Sequence, residues 1–183
     1  MIAIKPPWGA WANHPLGPWL ANPTMAQHRE NLLEHAFVAE ILQECVLVRQ
    51  ERIEVLRSEV DIAGYDLVLE LGDIVRHVQL KSLYCSAIDN GETVNANLEK
   101  HVGGCVVRSV WDIDPLTSRL RLSYMWYGSG PREPTKPLPA RPARRKGKVL
   151  PNTRKITKGE FGGQLLDTPG LVERLFGSPV NST

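Results

Sequence analysis

Between residues 61 and 82 the chain runs Asp-Ile-Ala-Gly-Tyr-Asp-Leu-Val-Leu-Glu-Leu-Gly-Asp-Ile-Val-Arg-His-Val-Gln-Leu-Lys-Ser. Aliphatic residues alternate with polar ones on both sides of Gly72-Asp73, the pattern of two antiparallel strands joined by a two-residue turn. With Gly72 and Asp73 as the loop, Asp66 falls opposite Gln79 and Gly64 opposite Lys81. Side chains alternate across a strand, so Asp66, Gln79 and Lys81 share one face. Leu67, Leu69, Leu71, Ile74, Val78 and Leu80 take the other. A chain that carries this hairpin must cover its apolar face, which predicts a sheet with further elements packed on it. The polar face predicts a carboxylate, an amide oxygen and an ammonium within a few ångströms of one another. Any amphipathic hairpin has a polar face, however, and the segment upstream decides how this one is read.

Residues 26 to 44 contain no Gly or Pro and many good helix formers, which predicts a helix. Leu33, Ala36, Phe37, Ile41 and Leu42 fall at helical spacing and form its apolar stripe. Glu34 breaks the stripe, with Phe37, Val38 and Ile41 one turn on, so its carboxylate projects from the edge of the buried face. A carboxylate beside a core needs a partner, a metal or a route to water. Glu30, Glu40 and Glu44 fit a solvated face.

The order is thus a helix with Glu34, strands, Asp66 in Gly-Tyr-Asp-Leu-Val-Leu, and Gln79-Leu-Lys81-Ser. This resembles the PD-(D/E)xK nuclease superfamily, the fold of restriction endonucleases and many repair nucleases, in its QxK variant. The resemblance spans roughly residues 28 to 112, a little under half of the chain. Its motifs are short, and their order, spacing and shared strand face carry the likeness together. It implies an α/β, restriction-endonuclease-like domain with an α-β-β-β-α-β core, its mixed β-sheet flanked by helices. Asn97-Leu-Glu-Lys-His-Val-Gly-Gly-Cys-Val-Val matches the link and final core strand that follow the lysine.

The resemblance further implies phosphodiester hydrolysis in nucleic acid, DNA rather than RNA, with Glu34, Asp66, Gln79 and Lys81 as the catalytic set. Asp66, Gln79 and Glu34 would hold Mg²⁺, for which Mn²⁺ can substitute. Lys81 would orient the attacking water or stabilise charge on the phosphorus. The usual motif has an acid where Gln79 stands. A neutral ligand there makes one Mg²⁺ the expectation rather than two, and it favours the alternative of a non-catalytic nucleic-acid-binding relative. Glu70 and His77 share the strand face and are read as exposed polar residues. Asp61 is read as a turn residue.

Composition fits one compact domain. A chain of 183 residues can bury a substantial core. Cys45, Cys85 and Cys105 are odd in number and widely spaced, which argues against a disulfide framework or a Cys₄ zinc site; all three read as buried thiols. No apolar run approaches the roughly eighteen residues of a membrane span, and the N-terminus shows no signal-peptide core, so a cytoplasmic protein is expected.

Residues 1–24 form an N-terminal arm with Trp8, Trp11, Trp19 and five prolines and no periodicity. An ordered arm, a disordered arm and translation from Met25 stay open, as does a structural, partner-binding role for this surface. Residues 25–130 are the expected core. They close with a second hairpin, Cys105–Ile113 and Arg119–Tyr127, around Asp114-Pro-Leu-Thr. Residues 131–158 hold six prolines, ten Lys or Arg and one acid, Glu133, a net of +9 in 28 residues. The whole chain is +2, so the other 155 residues sum to −7. Arg141, Arg144, Arg145, Lys146 and Lys148 lie in this stretch, which reads as a flexible basic loop suited to phosphate backbones. Phosphate contacts alone imply no sequence specificity. Residues 159–183 are expected to end in a short helix that starts at a capping Thr168 with Pro169 next and an acid in its first turn. Nucleases that cut both strands are often dimers, so a homodimer stays open, although no segment carries an interface signature.

Overall fold

The computed structural model describes residues 19, 22–58, 62–85, 91–114 and 116–179. Most of the Trp/Pro arm, and Asp61, lie outside the described residues. Helix α1 (Ala26–Gln43) follows a 3₁₀ turn at Pro23–Met25 and ends in a π turn at Glu44–Val48. It buries Leu33, Phe37 and Ile41, and Cys45 continues the same face into the π turn. Glu40 departs from the expected solvated face. Its Oε2 accepts the Tyr124 hydroxyl at 2.8 Å and the Thr168 hydroxyl at 2.6 Å. One oxygen of this half-buried carboxylate at the edge of the core thus has two protein donors.

The strands are β1 (Ile53–Arg57), β2 (Leu67–Leu71), β3 (Ile74–Tyr84), β4 (Glu92–Asn95), β5 (Cys105–Ile113), β6 (Leu120–Tyr127), β7 (Arg144–Arg145), β8 (Lys148–Val149) and β9 (Thr153–Ile156). Helix α2 (Thr168–Phe176) closes the chain's described part. Five strands make one mixed sheet in the order β1-β2-β3-β5-β6, antiparallel except for the β3–β5 pair. The first hairpin has the predicted register, Leu71↔Ile74 to Leu67↔Val78. Gly72 supplies the positive φ of 61° at the first loop position, where a Cβ would be strained. Between β3 and β5 the described link is β4 and a 3₁₀ turn (Ala96–Lys100), where the expected core places a second α-helix.

Helices α1 and α2 pack on one face of the sheet. Phe37, Ile41, Leu67, Leu69, Val78, Val107, Leu171 and Leu175 meet there with 0 % exposure. At about 1.5–3 kcal/mol for each large aliphatic or aromatic side chain, this layer supplies much of the driving force for folding. One charge sits inside it. Arg76, 1 % exposed, lies on β3 among the leucines, and its Nε donates to the Leu175 carbonyl at 2.6 Å. It satisfies a carbonyl left over at the C-terminal end of α2.

The other face is covered too, which the hairpin pattern did not predict. The β4–β9 ribbon and the turns beside it bring Val94, Leu98, Ile156 and Phe161 against Val106, Val110, Met125 and Tyr127. This corrects the reading of residues 131–158 as a loose loop. Leu138, Ala143 and Ile156 are buried, β9 pairs with β4, and β7–β8 forms a two-residue hairpin at the surface. The prolines rule out a helix, and the chain instead lies down in extended pieces. Two smaller expectations change as well. The cap of α2 is Asp167, whose side chain accepts from the Gly170 N–H, and no acid stands in its first turn. Cys85 is half-buried, unlike Cys45 and Cys105. Among the described residues no helix is long and apolar enough to cross a membrane.

Candidate active site

The ladder between β2 and β3 ends at Leu67↔Val78, but β3 runs on to Tyr84 beside β5. From Gln79 onward, β3 has a strand on one side only among the described residues. Asp66 stands at the place where the ladder stops. Its N–H donates to the Val78 carbonyl at 2.9 Å and its carbonyl accepts from the Ser58 N–H at 2.9 Å. Its carboxylate Oδ2 accepts the Leu80 N–H at 2.6 Å, so a side-chain oxygen takes the acceptor role that a longer β2 would have filled.

Helix α1 passes over this notch, and a cleft of about 390 Å³ opens between them. Glu30 and Glu34 line it from α1, Asp66 from the start of β2, Lys81 from β3 and Glu92 from β4. Three of the four residues expected at the site therefore meet in one cleft. Glu34 is half-buried, and its Oε1 lies 2.8 Å from Nε of Arg57, the last residue of β1. Lys81 is half-buried, and its side chain has no hydrogen-bond or ion-pair partner among the described residues.

Gln79 is the fourth, and it is not part of the cleft wall. It is 4 % exposed, and its Oε1 accepts the Asn95 N–H at 3.1 Å. The amide that sequence places beside Asp66 holds β4 against the sheet. Glu70 and His77 do not reach the cleft either. His77 is not simply exposed. Its ring meets Tyr65 edge-on at 4.8 Å and His101 in a tilted pair at 4.9 Å, and Nδ1 is 2.8 Å from the Val102 carbonyl. Desolvation, then the nearby His77 ring, hold His101 below the usual imidazole range.

Sequence reasoning missed Glu92. Its Oε1 accepts from Nε of Arg108 at 2.7 Å, and the Arg108 side chain is 1 % exposed. Arg108 is also the register partner of Lys81, so one ion pair borders the lysine from the neighbouring strand. Four residues of Glu-Thr-Val-Asn carry too little alternation to show a strand, and nothing in the sequence marks Glu92. Glu30, expected only on the solvated face, is exposed and also lines the cleft, one helical turn before Glu34. Ser82 and Ser109, register partners on β3 and β5, complete the polar wall.

The basic residues divide. Arg144, Arg145, Lys146 and Lys148 are exposed at the β7–β8 tip. Arg141 is hydrogen-bonded to Glu160, which carries its own cap contacts to Thr157. Among the described residues no three His, Cys, Asp or Glu side chains are grouped so as to hold a metal ion between them. No family model, curated protein or solved structure matches this chain.

Proposed function

We propose that the chain is a metal-dependent nuclease with a restriction-endonuclease-like core, hydrolysing phosphodiester bonds in nucleic acid, DNA rather than RNA. The observation that carries this reading is the convergence of Glu34, Asp66 and Lys81, from a helix, a strand start and a second strand, on one cleft where β3 outruns β2. An ordinary solvated hairpin face gives no reason for the helix glutamate to share that cleft.

The donor set fits Mg²⁺. Carboxylate oxygens are the ligands it takes, and it is commonly held by one or two carboxylates while water and substrate phosphate fill the rest. A grouping of three protein ligands is not required, so Asp66 and Glu34 suffice. When bound, the ion polarises a phosphoryl oxygen and lowers the pKa of a water molecule. Asp66 is pre-positioned for this by three backbone hydrogen bonds around it. Lys81 brings an ammonium to the place where negative charge grows on the phosphorus. Arg144, Arg145, Lys146 and Lys148 offer exposed cations to the phosphate backbone outside the cleft.

Cleavage of supercoiled plasmid and of short single-stranded DNA and RNA with Mg²⁺ or Mn²⁺ tests the reading. Wild type is expected to cut, and folded Lys81→Ala and Asp66→Ala are expected not to. Equal activity in all three proteins rules it out. The placement of Gln79 supports a second reading, a nucleic-acid-binding relative without turnover. Gln79 lies outside the cleft wall with its amide oxygen turned to the Asn95 N–H, which takes it away from a ligand role beside Asp66. That reading expects salt-dependent binding and no cleavage by any of the three.

A further inference from the structure

We propose that Arg57 is a working cation at the rim of this cleft, exchanging between the Glu34 carboxylate and a phosphate of the bound nucleic acid. This rests on the nuclease reading above and adds a residue that the sequence motifs do not contain.

The placement comes from the sheet. Arg57 ends β1 opposite Leu67, the residue after Asp66, and the next residue, Ser58, donates its N–H to the Asp66 carbonyl. Arg57 therefore stands at the end of the sheet where the cleft opens, with its Nε 2.8 Å from Glu34 Oε1.

Two carboxylates of the cleft wall are held by arginines, and the two pairs differ in kind. Arg108 and Glu92 have side chains 1 % and 18 % exposed, and leaving either one unpaired there is costly. Arg57 and Glu34 are 50 % and 32 % exposed, so water can replace either partner at little cost. The first pair is fixed and the second can come apart.

Glu34 can give its oxygens to Arg57 or to a divalent cation. Without a cation, Arg57 neutralises Glu34. Were Glu34 to hold a cation, the Arg57 guanidinium would be free at the rim of the cleft. Its planar donor fork matches two phosphate oxygens, a better fit than an ammonium offers. Charge balances through the exchange, because ion and nucleic acid enter together and the arginine passes from one anion to the other.

The two roles have opposite signs in a single variant. Arg57→Gln removes a competitor for Glu34, so Mn²⁺ binding to the free protein is expected to tighten about two- to fivefold, the range an exposed ion pair accounts for. The same variant has one cation fewer for phosphate, so binding of a labelled DNA duplex in Ca²⁺ is expected to weaken. Its log-log salt slope should flatten by about 0.9. Calorimetry with Mn²⁺ and fluorescence anisotropy across a salt series read both. Arg57→Lys keeps the charge without the fork, and serves as the second variant: near wild-type Mn²⁺ affinity with weaker DNA binding supports the proposal.

An Arg57→Gln protein with unchanged or weaker Mn²⁺ affinity, or with unchanged DNA affinity and slope, overturns the exchange. Asp66→Ala separates the two levels. If Asp66→Ala loses Mn²⁺ while Arg57→Gln has no effect, only the role of Arg57 falls. If wild type itself binds no Mn²⁺, the nuclease reading falls and takes this proposal with it.

Discussion

Replacing Gln79 by methionine separates a scaffold role from a ligand role. The side chain is 4 % exposed and its oxygen accepts the Asn95 N–H at 3.1 Å. Methionine keeps most of the length and removes the acceptor. The Asn95 N–H is then left in a half-buried position without that partner, at a cost of about 1–3 kcal/mol. For a chain of this size each kcal/mol moves Tm by about 2–4 °C, so Gln79→Met is expected to melt about 2–12 °C lower. The metal arm carries the contrast. Mn²⁺ at a hundredfold excess over Kd stabilises by about 2.7 kcal/mol. If Gln79 only holds β4, wild type and variant gain the same increment. Differential scanning fluorimetry with and without Mn²⁺ measures both shifts. A variant with an unchanged metal-free Tm and a lost Mn²⁺ increment would refute the reasoning, since the amide would then be a ligand and not a strut.

Other predictions concern groups away from Gln79. Tyr124→Phe leaves Glu40 with the Thr168 hydroxyl alone; a destabilisation of about 1.5–3 kcal/mol is expected in urea unfolding, as for hydrogen bonds to charged groups. Burial pushes the Cys105 thiol up to about 12 and the Cys45 thiol up to about 11, from 9.0. The unfolded chain releases these protons first, so their stability contribution is complete below about pH 9 and is lost as pH rises through the folded values. Between about pH 8 and pH 10.5 this amounts to roughly 2 kcal/mol per thiol, and Cys105→Ala should show a shallower decline in urea midpoint. At the basic tip, joint Arg144→Gln, Arg145→Gln and Lys148→Gln is expected to flatten the salt slope of DNA binding by about 0.9 for each phosphate no longer neutralised. Arg141→Gln is expected to leave it unchanged, because Arg141 is engaged with Glu160.

The first hairpin was legible because its information is local. Two turn residues and strict alternation set the register from Leu67↔Val78 to Leu71↔Ile74 with nothing else needed. Glu34 was legible for a similar reason, as a charge interrupting a helical stripe. Gln79 was placed on the correct face, but what covers that face depends on β9, which pairs with β4 from about sixty residues further along. No local pattern announces that pairing. Residues 131–158 misled through their prolines, which report only that a helix is excluded. The few buried side chains there, Leu138, Ala143 and Ile156, are too far apart to mark a face. Arg76 falls on the apolar side of the strand alternation, and its partner, a backbone carbonyl on the last helix, leaves no mark in the sequence.

The unmatched length of β3 has a consequence for handling the protein. Among the described residues no strand pairs with β3 on its β2 side beyond Val78, and such an edge is a template on which another molecule's backbone can lie unless charge or cover guards it. Here the guards are the Asp66 carboxylate on the Leu80 N–H, the lysine two residues past Gln79, and the roof of α1. Asp66→Ala and Lys81→Ala remove guards from the same edge. Loss of activity in them must therefore be read beside gel filtration, since an edge stripped of its charges invites self-association, and an aggregate that blocks the cleft is as silent as a missing catalytic group.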